Sequence, residues 1–244
     1  MLKAVTNSLL SIAFPQNCHS CTGLVDDRAG GVACSTCWSA TRVFSDDFAT
    51  CRKCGNFLPS GLTGRDIQCH ECEGQFYDSA TSGGVYEHAL VAVILELKRS
   101  PYLPRRSADL LLSALERSDG ERPDVLMPVP LSPKRKGERG FNQAEVIGRF
   151  LSGKIGIPLD TFSLVRSKHT PMHRAGMDRK ARDLTVKNAF EVFRPNLVKG
   201  RSVVLVDDIF TTGATASYCA KELKKNGAMR VRVVTLARAV RNLP

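Results

Sequence analysis

The strongest hydrophobic pattern in the chain lies between residues 203 and 226. Val203, Val204, Leu205 and Val206 form an apolar, mostly β-branched run, the pattern of a strand covered on both faces. After a short polar stretch, helical spacing takes over across residues 214–226. Upstream, residues 85–99 repeat apolar positions at helix spacing through Leu90, Val93, Ile94 and Leu97. Residues 104–117 do so again through Leu110, Leu111, Leu112 and Leu115, and Ser100, Pro101 and Pro104 break the two apart. Residues 125–129 read as a short buried strand. Residues 132–140 read as a basic loop leading into a helix that opens near Asn142 and places Ala144, Ile147 and Leu151 on one face. Residues 190–193 and 230–237 read as further strands, while residues 73–84 look like a turn-rich connector. Residues 164–183 are polar, basic and without periodicity, which predicts a mobile loop. Strands alternating with helices predict an α/β fold built on a parallel sheet.

The polar stretch after Val206 carries the chemistry. Asp207 and Asp208 stand at the predicted carboxyl end of the strand, followed by Thr211, Thr212, Gly213, Ala214 and Thr215. Backbone N–H groups of residues 212–215 at a helix start can converge on a phosphate, and Gly213 lets the backbone come close. The three threonine hydroxyls add donors. Two carboxylates beside that loop would repel a bare phosphate, so they suit the hydroxyls of a ribose. The plainer reading is a solvated Asp-Asp turn before a capped helix. In its residues and order this segment resembles the motif of type I phosphoribosyltransferases that binds phosphoribosyl pyrophosphate (PRPP). That resemblance implies that the acidic pair holds the ribose 2′ and 3′ hydroxyls and the threonine loop holds the 5′-phosphate.

Cysteines change the picture of the amino-terminal third. Eight of the nine fall in four Cys-x-x-Cys pairs, Cys18/Cys21, Cys34/Cys37, Cys51/Cys54 and Cys69/Cys72. Twelve residues separate the first two pairs and fourteen the last two, spacings that suit zinc-ribbon or treble-clef-like hairpins. Two structural zinc ions are expected, with sequential and cross-braced pairing both open. A disulfide framework would need an oxidising compartment, and no secretory signal or membrane-length apolar run supports one, so a cytoplasmic protein without membrane insertion is expected. His19 and His70 lie inside knuckles and are expected to point outward, with replacement of a cysteine ligand as the alternative. Cys219 sits alone among Ala216, Ala220 and Leu223, which predicts a small core residue. The organisation expected is a cysteine-rich double zinc ribbon over residues 1–79 and a phosphoribosyltransferase domain over residues 80–244.

Charge follows the same division. Residues 1–79 carry 6 Lys and Arg against 8 Asp and Glu, whereas residues 80–244 carry 29 against 16, giving the chain its net +11. Four thiolates around one dication would make the first part more acidic still. That weighs against a DNA-gripping finger and leaves a protein partner as the better fit. The positive charge of the second part suits a pyrophosphate-bearing ligand, a nucleic acid, or both.

Lys134, Arg135, Lys136 and Arg139 crowd the basic loop between a strand and a helix, where guanidinium forks and helix-terminal amides can hold a pyrophosphate. Here the resemblance widens to most of the chain. Tandem cysteine knuckles, Leu97-Lys98 after a helix, Pro128-Val129-Pro130, the run from Arg139 to Gln143, a basic hinge and the acidic-threonine motif together resemble the ComF family. The eight-cysteine layout is similar to its GntX-type, double-zinc-ribbon members. The resemblance implies a type I phosphoribosyltransferase fold preceded by a small zinc module, with Arg139 and its neighbours at a pyrophosphate loop. It also implies a flexible hood over residues 168–182, where Lys168, His169, His173, Arg174 and Arg179 are candidates. Thr185 stands where family members often carry an Asn after the arginine matched by Arg182. Lys98 is a candidate ligand contact or simply a helix-end lysine.

The implied function is transfer of phosphoribosyl from PRPP, bound with Mg2+, to a nitrogen acceptor, releasing pyrophosphate. Arg139, Arg135, Lys168 and His173 would serve that chemistry, and no residue stands out as a general base. Two other functions fit the same residues. One is a non-catalytic PRPP or nucleotide sensor whose zinc module docks DNA-uptake machinery such as a helicase, as the family's association with competence implies. The other is single-stranded DNA binding along the basic surface, against which the low aromatic content counts.

Overall fold

The apolar run at residue 203 becomes the centre of the sheet. In a computed structural model of the chain, described for residues 14–45, 48–58, 67–118, 120–167 and 189–240, four parallel strands stand in the order β1-β6-β5-β2. They are β1 (Ser79–Val85), β2 (Val125–Pro128), β5 (Ser202–Phe210) and β6 (Arg230–Arg238). Val203 and Leu205 of β5 point into one core with Val231 and Val233 of β6. Val204 and Val206 point into the other with Val234 and Leu236, so both faces are covered. Each such side chain contributes about 1.5–3 kcal/mol when fully buried.

One face is packed by α2 (His88–Leu97), α3 (Arg105–Glu116) and α5 (Gln143–Ile155). The other is packed by α6 (Ala214–Lys225) and by a small antiparallel hairpin, β3 (Leu164–Arg166) with β4 (Phe190–Val192). Cys219 is fully buried on α6, as its apolar neighbours predict. Among the described residues, no helix is long and apolar enough to cross a membrane.

The cysteine-rich segment divides between the two faces. Cys18, Cys34 and Cys37, with Trp38 on the short helix α1 (Ser35–Ala40), join the core of α2. Cys51, Cys54 and Cys72 join the core of α6. Between them the chain passes the outer edge of β1, where Phe44 N–H donates to Gly83 O (3.1 Å) and Val85 N–H donates to Arg42 O (2.8 Å). The crossing is pinned to α2. Arg42 forks onto Glu87 at 3.0 and 2.7 Å, and Thr41 Oγ1 accepts from Ala89 N–H (3.1 Å) in the first turn of that helix.

Two segments depart from expectation. Residues 73–84, read as a connector, contain most of β1, whose sequence of Ser, Ala, Thr and Gly shows no apolar alternation. Packing explains the small residues, because a Cβ on Gly83 would lie 2.9 Å from both Leu110 Cβ of α3 and Leu236 O of β6. Residues 132–140, read as a loop, form the helix α4 (Pro133–Arg139). Ser132 caps it by accepting from Arg135 N–H (3.4 Å), Pro133 occupies its first turn, and Gly140 at φ 78° ends it. The first three residues of the expected loop at 164–183 are β3; residues 168–183 lie outside the described residues.

Candidate functional site

A crevice opens where β2 stops and β5 does not. Pairing between the two strands ends at Pro128 opposite Val206, with a last bond from Val129 N–H to Val206 O (2.9 Å), while β5 runs on beside β6 to Phe210. Asp207 and Asp208 therefore lie within the strand, on a stretch with no β2 partner. The helices that follow these neighbouring strands pack on opposite faces, α5 on one and α6 on the other. Such a switch point is where open α/β sheets bind ligands.

The acidic pair is tightly built. Asp207 Oδ1 accepts from Asp208 N–H at 2.9 Å, and Lys98 Nζ sits 3.6 Å from Asp208 Oδ2. Burial, then the neighbouring Asp208 charge, pushes the Asp207 carboxyl well above the usual carboxylate range. Tyr86, half-buried, has its phenol raised by burial and then by Asp208. The helix-end lysine of the sequence thus has a specific partner in Asp208. Tyr86 lies near that carboxylate without any local signal in the sequence.

The threonine loop follows at once. Gly213 takes the left-handed conformation (φ 77°) and caps α6, with Ser217 N–H donating to its carbonyl at 2.8 Å. Thr211 is exposed, Thr212 and Thr215 are half-buried, and Ala214 is buried. Thr212 Oγ1 accepts a long bond (3.4 Å) from Ala214 N–H. Behind the turn, Phe210 packs edge-on against Tyr77 with centroids 5.7 Å apart. A Cβ at Gly213 would come within 2.6 Å of the Phe210 ring and 3.1 Å of the Tyr77 hydroxyl, so the turn accepts only glycine in this form.

Basic groups approach from the other wall. On α4, Arg135 and Arg139 are four residues apart and half-buried on one face, while Lys134 and Lys136 are exposed. Burial, then the Arg139 charge, holds the Arg135 guanidinium below its usual range. Arg166, on β3, is buried with its guanidinium 5.3 Å from the Phe190 ring centre. It too is lowered, by burial and then by Arg135, against the pull of Cys219 and Asp207. The sequence reading missed Arg166 because it assigned residue 166 to a structureless loop. Asn142 fixes this wall, its Nδ2 donating to Val129 O (3.0 Å) and its Oδ1 accepting from Ala144 N–H (3.1 Å) to cap α5. The hood candidates Lys168, His169, His173, Arg174 and Arg179 lie outside the described residues.

Both cysteine groups are assembled in sequence order, Cys18, Cys21, Cys34 and Cys37 in one and Cys51, Cys54, Cys69 and Cys72 in the other. Each could hold a metal ion. Sulfurs approach at 3.8 Å (Cys18–Cys37), 3.6 Å (Cys21–Cys34), 3.6 Å (Cys51–Cys72) and 3.4 Å (Cys54–Cys69), too far for disulfides. Four ligands about 2.3 Å from a tetrahedral ion would stand about 3.8 Å apart, so the donor set fits one. Backbone N–H groups of Cys34 (3.3 Å) and Cys69 (3.2 Å) donate to Cys18 Sγ and Cys51 Sγ. Against burial, amide donors bring Cys18 down to about 6, and a bond with Cys54 brings Cys51 to about 4. Neither His19 nor His70 belongs to these groups, and both are exposed.

Comparison with known proteins agrees with this geometry. The family described as "Phosphoribosyl transferase domain" matches residues 96–242. Competence protein F of Haemophilus influenzae is 32% identical over 237 residues, covering 93% of this chain and 98% of its own. DNA utilization protein YhgH of Escherichia coli K12 is 33% identical over 215 residues, covering 85% of this chain and 90% of its own. Competence protein ComFC of Bacillus subtilis is 32% identical over 120 residues, or 47% of this chain and 45% of its own. With a phosphoribosyl transferase domain over most of its length and near full-length likeness to Competence protein F, the chain belongs to the ComF family.

Proposed function

We propose that the crevice binds PRPP and that the protein transfers its phosphoribosyl group to a nitrogen acceptor, releasing pyrophosphate. The observation that carries this reading is the continuous run from the Asp207-Asp208 pair, free of strand pairing toward β2, into the Gly213 turn at the start of α6. Asp207 and Asp208 would accept from the ribose hydroxyls. Thr211, Thr212, Thr215 and the amides from Gly213 and Ala214 would hold the 5′-phosphate. Arg135 and Arg139 would face the pyrophosphate, with Lys168 and His173 as hood candidates. Mg2+ bound with PRPP would supply further charge neutralisation on the departing diphosphate.

In the step proposed, the bond from ribose C1 to the diphosphate oxygen breaks with its electron pair leaving on the diphosphate. The acceptor nitrogen forms a bond to C1 and gives up its proton to solvent. The transition state is oxocarbenium-like, so the protein's task is orientation, charge stabilisation and exclusion of water. Wild-type protein is expected to bind PRPP in the presence of Mg2+ by titration calorimetry and to release pyrophosphate with one member of a panel of nucleobases and amines. No binding would sink the reading. Binding without release on any acceptor would favour a sensor that docks a DNA-uptake partner, a reading supported by the relatives' names, which speak of competence and DNA utilization.

Zinc is the proposed occupant of both cysteine groups, with a structural role in holding the chain across the sheet. Elemental analysis should find two zinc per chain, and Cys51→Ser should lower that to one. A wild-type content near zero would remove the assignment.

A further inference from the structure

Arg238, the last residue of β6, is only 3% exposed although it carries a full charge. A buried guanidinium persists only where its donors and charge are met. Its NH1 donates to Cys54 O, its NH2 lies 3.5 Å from Cys54 Sγ, and its Nε lies 3.4 Å from Asn56 Oδ1. All three partners belong to the second cysteine group or its knuckle. The guanidinium carbon stands 4.7 Å from the centre of the Phe210 ring. Phe210 is bonded into β5 opposite Arg238, accepts from Ala239 N–H (2.9 Å), and presses its ring tip against the turn at Gly213. Tyr77 reaches the same turn from the same core, packed with Cys51, Cys54 and Cys72.

We propose that Arg238 is a positioning residue that ties the second cysteine centre to the phosphate loop. The knuckle at Cys54 fixes the guanidinium, the guanidinium fixes the face of Phe210, and the ring fixes the left-handed turn from which α6 starts. A metal in the Cys51/Cys54/Cys69/Cys72 group thereby holds the amides and hydroxyls of residues 211–215 in place before ligand arrives. Four thiolates around one dication leave that centre negative, so the cation beside Cys54 Sγ is held more firmly when metal is bound. The first cysteine group, on the opposite face, makes no such contact among the described residues.

This inference rests on the reading of residues 211–215 as the 5′-phosphate site, so the test has one arm with ligand and one without. Arg238→Met keeps the stem and removes the donors and charge. It is expected to retain two metal ions per chain, to weaken PRPP binding at least about tenfold, and to speed amide hydrogen exchange at residues 211–215 in ligand-free protein. Exchange across Val203–Val206 should stay as in wild type, which a general loss of stability would not allow. Arg238→Lys should recover part of the affinity, because an ammonium can face the ring without reproducing the fork. Wild-type exchange at residues 211–215 in Arg238→Met overturns the proposal, whatever happens to ligand. If wild-type protein binds no PRPP, the functional reading fails while the exchange arm still decides the coupling. Should Arg238→Met fail to fold, Phe210→Leu leaves the bonds to Cys54 and Asn56 intact and must loosen the same residues. Unchanged exchange there would equally overturn it.

Discussion

Asp207→Asn is expected to raise the melting temperature of the ligand-free protein while weakening its affinity for PRPP. The two effects share one cause. The Asp207 carboxyl is half-buried beside Asp208, and its desolvation and that neighbouring charge both favour its protonated form. Asparagine keeps Oδ1, which accepts from the Asp208 amide, and removes the charge. Relief of that repulsion should stabilise the fold and raise the melting temperature near neutral pH. Because the folded pKa is raised above the unfolded value of about 3.9, the wild-type protein binds more protons folded than unfolded in the window between them. Its stability therefore falls as pH rises through that window, and Asp207→Asn should flatten this part of the profile. Ligand responds in the opposite sense. A charged acceptor to a sugar hydroxyl is worth about 1.5–3 kcal/mol, so binding should weaken by about 10- to 150-fold, and further with Asp208→Asn added. Calorimetric melts across pH and a PRPP titration check both. Unchanged affinity in the double variant would end the assignment of this pair to ribose.

Gly213→Val should be the most damaging single change in the crevice. A branched side chain in the left-handed region costs about 1–2 kcal/mol, and the clash with Phe210 and Tyr77 adds about 1–3 kcal/mol of overpacking. The turn can relieve that clash only by moving, which drags the start of α6 away from the geometry a phosphate needs. PRPP binding should fall below detection, and the melting temperature should drop by several degrees. Gly200→Ala separates strain from clash, since Gly200 has a similar φ of 71° with nothing within 4 Å of the added carbon. That variant should lose about 1 kcal/mol and bind PRPP normally. Equal ligand affinity in Gly213→Val and wild type would show that the turn does not hold the ligand.

How far the sequence reaches depends on whether a residue's role is local. Val203 to Val206 are apolar at every position because each meets a packed layer, so the central strand is plain in one dimension. The acidic pair follows it directly and the threonine loop begins just beyond Ile209 and Phe210, and the crevice rim was legible for that reason. Helix α4 was masked by its own charge. Four basic residues overshadow Ser132, Pro133 and Gly140, which mark its start and stop. Strand β1 was invisible because α3 and β6 approach too closely to allow apolar side chains at Gly83. Lys98 beside Asp208, Tyr86 near it and Arg166 near Asp207 arise from contacts across the fold, which spacing along the chain does not encode. The cysteine pairs were readable, but their placement on opposite faces was not, since nothing in a knuckle says which side of a sheet it will meet.

The passage of residues 42–44 along β1 has a consequence for solubility. Beyond β2, residues 158–160 bond to Leu126 and shield that side of the sheet, so β1 is the flank that would otherwise offer unpaired amides to another chain. Its cover is held down at one end by Cys18, Cys21, Cys34 and Cys37 and at the other by Cys51, Cys54, Cys69 and Cys72. If metal is what holds that cover, metal-free protein would expose this bare strand, rich in small residues and without charge, to its own copies. If both groups hold metal as proposed, aggregation would be the expected sign of its loss.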